Sequence, residues 1–107
     1  MIKEILAPVP GGAWPRQCPD PPRETYAVYF DDVTADGPDN INLIFTHDVT
    51  AELYAPTVEA ADEAEAAIEA ILDARGVRWT KQSKYWLKAI QRFQTIYEFT
   101  YIEKRSE

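Results

Sequence analysis

The chain has 107 residues, of which 46% are hydrophobic and 12% aromatic, so it has the length of one domain and enough apolar side chains for an ordered core. Its 11 Lys and Arg residues against 18 Asp and Glu residues give a net charge of -7, which opposes general attraction to nucleic-acid phosphates or anionic lipid. The single cysteine, Cys18, excludes an internal disulfide and a multi-cysteine metal site, and a reduced cytoplasm is the expected environment.

The chain is predicted to form a single domain, in which an irregular arm over residues 1–23 precedes an α+β core over residues 24–107. Six of the eight prolines lie between Pro8 and Pro22. Because proline lacks an amide donor, this stretch is excluded from a central strand or a long helix. Residues 2–6 have room for one helical turn, although nothing in their pattern requires it. The N-terminal apolar run is too short for a signal peptide, and no run is long enough for a membrane span.

Two strands are predicted after the arm. Apolar residues alternate from Tyr26 to Phe30, and this run ends at the pair Asp31-Asp32. The polar stretch TADGPDN that follows is predicted to be a turn. A second alternating run places its larger apolar side chains on one face of a strand: Ile41, Leu43, Phe45, Val49 and Leu53. The two runs are predicted to form an antiparallel pair.

The clearest predicted element is a helix that begins at Thr57, an N-cap residue, and ends at Arg75, with Gly76 just beyond it. One stripe of this helix is apolar, with residues that recur at spacings of three and four: Ala61, Ala64, Ile68, Ile71 and Leu72. Acidic residues form its outer side: Glu59, Asp62, Glu63, Glu69 and Asp73. The apolar stripe is predicted to lie on a sheet.

Two more strands are predicted after the helix, one from Val77 to about Leu87 and one from about Phe93 to Ile102. The last run is rich in aromatic residues and threonine, a composition typical of strands. The predicted fold is therefore α+β, with an antiparallel four-stranded sheet in the order β-β-α-β-β and one long helix packed on it.

Aromatic residues alternate with lysines in the third predicted strand, a pattern found in platforms for single-stranded nucleic acid. Strand alternation places Trp79 and Tyr85 on the face opposite Trp86, so at most part of this set is exposed together. The acidic balance of the chain argues further against nucleic acid as the partner.

His47 is the only histidine. With one histidine and one cysteine, the chain lacks the usual ligands of a zinc site. The neighbouring Asp48 points to the opposite face of a strand, so it is poorly placed to orient His47 as a base. A structural role is predicted for His47, and no catalytic residue is predicted.

An oxygen-rich stretch follows the first strand: Asp31, Asp32, Asp36, Asp39 and Asn40. It lacks the spacing and the final glutamate of an EF-hand calcium loop. A solvated loop is predicted there, with weak divalent binding as the alternative. We expect no metal, no cofactor and no enzymatic activity.

Charge is unevenly distributed along the chain. Between Glu24 and Ala74 there are 13 acidic residues and no Lys or Arg, whereas from Arg75 to Gln91 there are five basic residues and no acid. Two interpretations stay open: the opposite charges are solvated or paired within one subunit, or they meet head to tail between copies. The second interpretation predicts these interface residues: Glu59, Asp62, Glu63, Glu69, Asp73, Arg78, Lys81, Lys84 and Lys88.

Several blocks of sequence together resemble a known family. They are YAVYFDD at residues 26–32, DNINLIFTHDVTAELYAP at 39–56, the acidic helix, GVRWTKQSKYW at 76–86 and RFQTIYEFTYIEK at 92–104. In this order they resemble the tail-completion, or tail-terminator, proteins of long-tailed bacteriophages and prophages. The proline-rich arm departs from the family, whose members usually have a more regular N-terminal helix and strand.

The resemblance implies a structural subunit without an active site. It implies a homo-oligomeric ring, typically a hexamer, at the head-proximal end of the tail, where it halts tube growth and joins the tail to the head. The implied partners are other copies of the chain, the tail tube protein and head–tail connector proteins, with DNA only as passing cargo and no membrane. The implied location is the virion tail, after assembly in the host cytoplasm.

Three alternatives remain at this point. The first is another head–tail joining or minor tail protein. The second is a small acidic inhibitor of a host enzyme, for which the basic segment would have no use. The third is an enzyme, which would need carboxylates such as Glu52 and Glu98 to be buried close together. The alternation of Glu98 with Tyr97 and Phe99 predicts that it lies on the opposite face from them.

Overall fold

The computed structural model describes residues 1–37 and 44–104 of the chain. Within these two ranges the chain forms two helices and six strands, numbered in chain order: α1 (Ile2–Ile5), β1 (Ala13–Pro15), β2 (Tyr26–Asp36), β3 (Ile44–Ala55), α2 (Val58–Ala74), β4 (Trp79–Lys81), β5 (Tyr85–Leu87) and β6 (Arg92–Lys104). Neither of the two helices in these ranges has the length and apolar character needed to cross a bilayer.

All six strands belong to one mixed sheet in the order β1-β2-β3-β6-β4, and β5 pairs with β6 along the same edge as β4. β1 runs parallel to β2, and the other pairings of the described strands are antiparallel. The predicted antiparallel four-stranded sheet with one long helix and an irregular arm is therefore wrong. The arm contributes a strand and a short helix, and the predicted third strand is two short strands.

The proline-rich arm is regular where it joins the edge of the sheet. The Gly11 amide donates to the Thr25 carbonyl at 2.7 Å, and the Ala27 amide donates to the Gly12 carbonyl at 3.0 Å. Gly12 has a φ of 91°, a left-handed conformation that glycine adopts without strain. Because β1 is an edge strand, the missing amide of Pro15 is tolerated there. The prolines exclude a central strand, as predicted, but they do not exclude this one.

Local signals determine both ends of α2, as predicted. Thr57 is the N-cap, and its Oγ1 accepts a hydrogen bond from the Ala60 amide at 3.0 Å. Gly76 follows the C-cap with a φ of 68°. The predicted stripe faces the sheet, with Ile71 half-buried and these four residues buried: Ala61, Ala64, Ile68 and Leu72.

The hydrophobic core lies between the two helices and one face of the sheet, here termed the helix-side face; the other is the open face. Strand pairing places Val49 beside Phe99 and Leu53 beside Thr95 on the helix-side face. Phe45 shares this face by alternation, as predicted, whereas Ile41 and Leu43 lie outside the described residues. The core residues are Ile2, Ile5, Leu6, Val9, Ala27, Val49, Ala51, Leu53, Ala64, Ile68, Leu72, Tyr97 and Phe99.

β2 continues past the point where it was predicted to end. It runs through Asp31-Asp32 to Asp36, and its register with β3 extends to the pair Asp36 and Ile44. The predicted turn is therefore wrong over residues 34–36, and its residues 38–40 lie outside the described residues. Pairing with the long strand β3 extends β2 through three aspartates, a residue type with little strand propensity of its own.

The predicted third strand is interrupted by one extra residue. Lys81 pairs with Tyr97 and Tyr85 pairs with Gln94, so three residues, 82–84, lie opposite two residues of β6. Such a bulge reverses which side chains face the core. Trp79 and Trp86 consequently lie on the same face, paired with Phe99 and Phe93, and the prediction that they lie on opposite faces is wrong.

Candidate assembly surface

The far ends of the three long strands form a ribbon, defined as residues 32–36 of β2, 44–48 of β3 and 100–104 of β6. The register aligns these segments in rows, from Asp32, Asp48 and Thr100 at one end to Asp36, Ile44 and Lys104 at the other. Val33 and Ile102 are 49% and 59% exposed on this ribbon. The ribbon therefore carries accessible apolar side chains on its strands, as does β5 with Tyr85 and Trp86.

The β2 edge of the ribbon has backbone groups that face outward. β1 pairs only with residues 27–29, and the Arg16 amide donates to the Tyr29 carbonyl at 2.9 Å. Because outward-facing backbone groups alternate along a strand, those of Asp31, Val33 and Ala35 point away from β3. Within residues 1–37 and 44–104 they have no backbone partner.

The opposite edge of the ribbon, on β6, is also open. β4 pairs with residues 97–99, and the Gln82 amide donates to the Ile96 carbonyl at 2.9 Å, which shows that the even-numbered residues of β6 face this edge. Thr100, Ile102 and Lys104 therefore face outward, and no described residue pairs with their backbone groups.

An open groove of about 1370 Å³ runs beside this edge of β6. It is formed where the chain separates from β6 on the N-terminal side of β4. Its lining includes Val77, Arg78 and Trp79 together with Thr100, Tyr101 and Ile102 of β6. The groove leaves the β6 edge accessible to another chain segment.

His47 joins all three strands of the ribbon on the helix-side face. Its Nδ1 lies 2.9 Å and 3.0 Å from the two carboxylate oxygens of Asp31, and its Nε2 lies 3.0 Å from Oε1 of Glu103. Its ring stacks on Tyr101 with centroids 4.4 Å apart. Asp48 is exposed on the other face, as predicted.

The two carboxylates determine the charge state of His47. Burial is the largest single effect and lowers the pKa of the imidazole, but the hydrogen bonds and charges of Asp31 and Glu103 together raise it above 6.5. With a carboxylate at each nitrogen, both nitrogens act as donors in the imidazolium form. Through these two contacts His47 links the three long strands.

A second cluster lies between α2 and the bulged edge strand. Glu65 is 5% exposed, and its carboxylate lies 2.8 Å from Nζ of Lys84 and 3.3 Å from Nζ of Lys81. The Thr95 hydroxyl donates to it at 2.8 Å. Burial raises the pKa of Glu65, but the two lysines and Thr95 outweigh that effect, and the pKa is lowered.

The bulge explains how both lysines reach this carboxylate. Without the extra residue, alternation from Lys81 would place Lys84 on the open face. With it, Lys84 reaches Glu65 and lies 3.3 Å from Oδ1 of Asp62. Lys81 also pairs with Glu69 at 2.7 Å. The acidic helix and the basic segment are thus paired within one subunit at these positions.

The predicted interface residues fall into two groups. Asp62, Glu69, Lys81 and Lys84 form the internal ion pairs, and Asp73 accepts a hydrogen bond from Nε1 of Trp79 at 2.8 Å. The remaining four are exposed and have no ion pair with another residue in the part of the chain that the structure describes: Glu59, Glu63, Arg78 and Lys88.

The other candidate residues do not form a site. Asp31, Asp32 and Asp36 lie in β2 rather than in a loop, and Asp39 and Asn40 fall outside the described residues. Across residues 1–37 and 44–104, no group of three His, Cys, Asp or Glu side chains is arranged to hold a metal ion.

The two carboxylates considered for an enzyme lie apart from the core. Glu98 is exposed, and its neighbours Tyr97 and Phe99 are buried, as predicted. Glu52 accepts a hydrogen bond from the Tyr54 hydroxyl at 2.9 Å. Burial raises the pKa of Tyr54 to about 12.

Two contacts that shape the molecule were missed by the sequence analysis. The sequence could have indicated the buried position of Glu65, because it is the one charged residue within the buried stripe of α2. A charge on the apolar face of a helix is retained when a partner satisfies it. The link between Asp31, His47 and Glu103 had no local signal, since it depends on the register of three strands.

No protein-family model matches this chain. No curated protein matches it either. Its function is therefore inferred from the surfaces described above and from the order of its sequence blocks.

Proposed function

We propose that the protein is a structural subunit of a long-tailed bacteriophage or prophage, a tail-terminator or tail-completion protein. It forms a ring at the head-proximal end of the tail and joins the tail to the head. The single observation that carries this proposal is the ribbon, whose two open edges differ from each other. The order of the sequence blocks supports the phage assignment.

Two different open edges favour head-to-tail association. A two-fold dimer uses the same patch of each subunit, whereas a ring needs two complementary patches on every subunit. The β2 edge carries Asp31, Asp32 and Asp36, and the β6 edge carries Thr100, Ile102 and Lys104. An interface between two different surfaces leaves each new copy with one free surface until the ring closes. The hexameric size follows from the resemblance.

Charge contributes to this ring at a smaller set of positions than the sequence suggested. Contacts between copies through Asp62, Glu69, Lys81 or Lys84 would first require the loss of internal ion pairs. Among the predicted interface residues, the accessible charges are those of Glu59, Glu63, Arg78 and Lys88, at exposed sites where an ion pair contributes less than about 1 kcal/mol. Exposed ion pairs are therefore a minor part of the proposed contact between copies.

The remaining partners follow from the position of the ring. The tail tube protein contacts one end of it and the head–tail connector proteins contact the other. DNA passes through the opening without binding, because a net charge of -7 repels phosphates. Another neck or minor tail component would share these surfaces and differ in its position within the particle.

A small acidic inhibitor of a host enzyme is the second candidate, and one observation favours it. Lys81 and Lys84, which counted against this class, are neutralised by Glu65, Glu69 and Asp62 of the same chain. The basic segment consequently presents fewer free positive charges than the sequence suggests. Such an inhibitor would present acidic side chains to a basic site on its target.

Electron microscopy of lysates distinguishes the two functions. The gene is deleted from the source phage or prophage, and negatively stained particles are compared with those of the intact strain. Overlong tails, or tails separated from filled heads, are expected for a tail terminator. Normal joined particles would overturn the proposed function and make the inhibitor the next function to test.

A further inference from the structure

Exposed apolar side chains lie near both ends of β6. One group belongs to the aromatic hairpin, defined as residues 85–92, which comprise β5, the turn after it and the first residue of β6. Its exposed apolar members are Tyr85, Trp86 and Ile90, at 62%, 48% and 45%. The other group lies on the ribbon: Val33, Ile44 and Ile102. The two groups are roughly 30 Å apart along the strand, so they form separate surfaces at opposite ends of the sheet.

The open face of the ribbon is acidic around an apolar centre. Ile44 and Ile102 share this face on neighbouring strands, because Ile102 pairs with Thr46, two residues from Ile44. Three exposed aspartates lie on the same face: Asp32, Asp36 and Asp48. Asp32 and Asp48 are direct cross-strand neighbours, and such a like-charged pair is unfavourable until a cation approaches it.

The aromatic hairpin has the opposite charge. It contains Lys88 and Arg92 and no acidic residue. The Arg92 guanidinium donates to backbone carbonyls, those of Gln91, Pro22 and Arg23. Across residues 1–37 and 44–104, neither cation forms an ion pair with another residue. The hairpin tip, residues 88–91, is exposed, so it presents positive charge beside apolar side chains.

Trp86 is held in place before a partner binds. Its indole packs against Phe93 with ring centroids 4.8 Å apart, and β5 is paired with β6. A side chain that is already ordered loses little freedom when a partner covers it. Tryptophan and tyrosine are also frequent among the residues that contribute most to protein interfaces. Tyr85 pairs with Gln94 and lies on the opposite face from Trp86, so the two rings do not form one stacking platform for nucleic acid.

The two edges of the ribbon do not complement each other by strand pairing. β1 pairs with β2 at residues 27–29, and β4 pairs with β6 at residues 97–99. A β2 strand of a second copy laid along β6 would overlap β4, and its own β1 would overlap β6. The surface that complements the ribbon therefore lies elsewhere on the subunit.

We propose that the aromatic hairpin of one copy docks on the open face of the ribbon of the next copy. The apolar side chains of the hairpin cover Ile44 and Ile102, and Lys88 and Arg92 approach the three aspartates. The proposal rests on the proposed function, in that it defines the head-to-tail contact of the ring. Removal of apolar surface from water supplies the affinity, and the opposite charges select the orientation.

Contacts between identical surfaces are disfavoured by charge. Two hairpins would bring together Lys88 and Arg92 of both copies. Two ribbons would bring together the three aspartates of both copies. Like charges repel in each case, whereas a hairpin on a ribbon joins opposite charges. Each copy then uses one surface of each kind, which is the arrangement that a closed ring requires.

One substitution on each surface tests the contact. Ile90→Glu places an acid on the hairpin tip, and Ile102→Glu places one among the aspartates of the ribbon. Sedimentation equilibrium from micromolar to millimolar concentration should show dimers and larger species of the unaltered chain. Each variant is expected to self-associate about tenfold more weakly or less, because it puts a charge into the apolar centre of the contact. An unaltered chain that stays monomeric at millimolar concentration would overturn the proposal.

A mixture of the two variants identifies the head-to-tail arrangement. The Ile90→Glu copy keeps an intact ribbon, and the Ile102→Glu copy keeps an intact hairpin. Their mixture should form one-to-one dimers with the affinity of the unaltered contact and nothing larger. A mixture that associates no better than the separate variants would overturn the proposal.

The matched control is Gln17→Glu, which makes the same change in net charge at an exposed position outside both surfaces. It should associate like the unaltered chain. Circular dichroism checks the fold of each variant. A second pair, Lys88→Glu on the hairpin and Ile44→Glu on the ribbon, replaces any variant that does not fold.

Other occupants of these surfaces give different results. If two hairpins met, Ile90→Glu would abolish association and Ile102→Glu would leave it unchanged. If the hairpin bound only a different protein, neither variant would change the association of the chain with itself. Either result would overturn the proposal.

The outcomes for the contact and for the function are separable. Overlong or headless tails after gene deletion, together with variants that associate like the unaltered chain, would remove the docked hairpin and leave the role in the tail. Association restored in the mixture, together with normal particles after gene deletion, would retain the docked hairpin and remove the role in the tail.

Discussion

The two halves of the sheet differ although the same three strands form both. In the half covered by the helices, Val49, Leu53 and Tyr97 are buried beneath α1 and α2. In the ribbon, Val33 and Ile102 are about half exposed, and His47 supplies the linking contacts. The covered half stabilises the fold, and the ribbon has two edges that no described strand covers. Changes in the two halves should therefore separate stability from assembly.

The largest expected effect is in the covered half. Leu72 is 0% exposed, and Leu72→Ala should lower the free energy of unfolding by about 4 kcal/mol, because it removes buried contacts and leaves a cavity. Its matched control in the ribbon, Ile102→Ala, should lower it by less than about 0.5 kcal/mol. Urea denaturation of both variants measures the difference. Similar losses at the two sites would contradict the division into halves.

The next effect concerns the lysines after α2. Lys84→Glu places an acid beside Glu65 and Asp62, and the free energy of unfolding should fall by about 3 kcal/mol. Lys88 is exposed, so Lys88→Glu should change it by less than about 0.5 kcal/mol.

Sedimentation of the Lys88→Glu variant, with and without added salt, tests charge pairing between copies. Weaker self-association than in the unaltered chain is expected if the exposed charges meet in the ring. Unchanged self-association in both conditions would remove Lys88 from the interface.

A third effect is the acid sensitivity of the Glu65 cluster. The pKa of Glu65 in the folded protein is below its ordinary value of 4.5. The contribution of Glu65 to stability is therefore fully present above pH 4.5 and is lost as the pH falls through the folded-state pKa. Glu65→Gln should cost about 2 kcal/mol at neutral pH and make thermal unfolding less dependent on pH in this window. Glu63→Gln, at an exposed position of α2, is the control and should retain the dependence.

The smallest effect is expected at the base of the ribbon. The pKa of His47 is raised in the folded protein, so its contribution is fully present below pH 6.5 and is lost as the pH rises through the folded-state pKa. The free energy of unfolding of the ribbon should fall by about 1 kcal/mol or less over this pH range, because Asp31 and Glu103 are partly exposed. Hydrogen exchange of the ribbon amides measures it.

His47→Gln is the control for that measurement, because its side chain does not titrate. After correction for the intrinsic exchange rate, the exchange rates of the ribbon amides in this variant should change little with pH above 6.5. An equal pH dependence in both proteins would assign the effect to other groups.

Local sequence patterns predicted the parts of the structure that depend on neighbours along the chain. Thr57 and Gly76 delimit α2, because a side-chain cap and a left-handed φ act within one helical turn. Alternation correctly placed His47 and Asp48 on opposite faces of a strand. The pattern did not predict which carboxylates would meet His47.

The sequence by itself determined the helix α2, its apolar stripe and the faces of the long strands, because these follow from the spacing of residues along the chain. The tertiary structure decided that the arm adds β1, that β2 extends to Asp36, and that one extra residue turns Lys84 toward Glu65. Each of these depends on a pairing partner distant in the chain. Periodicity specifies the face of a side chain, but neither the strand beside it nor the register between them.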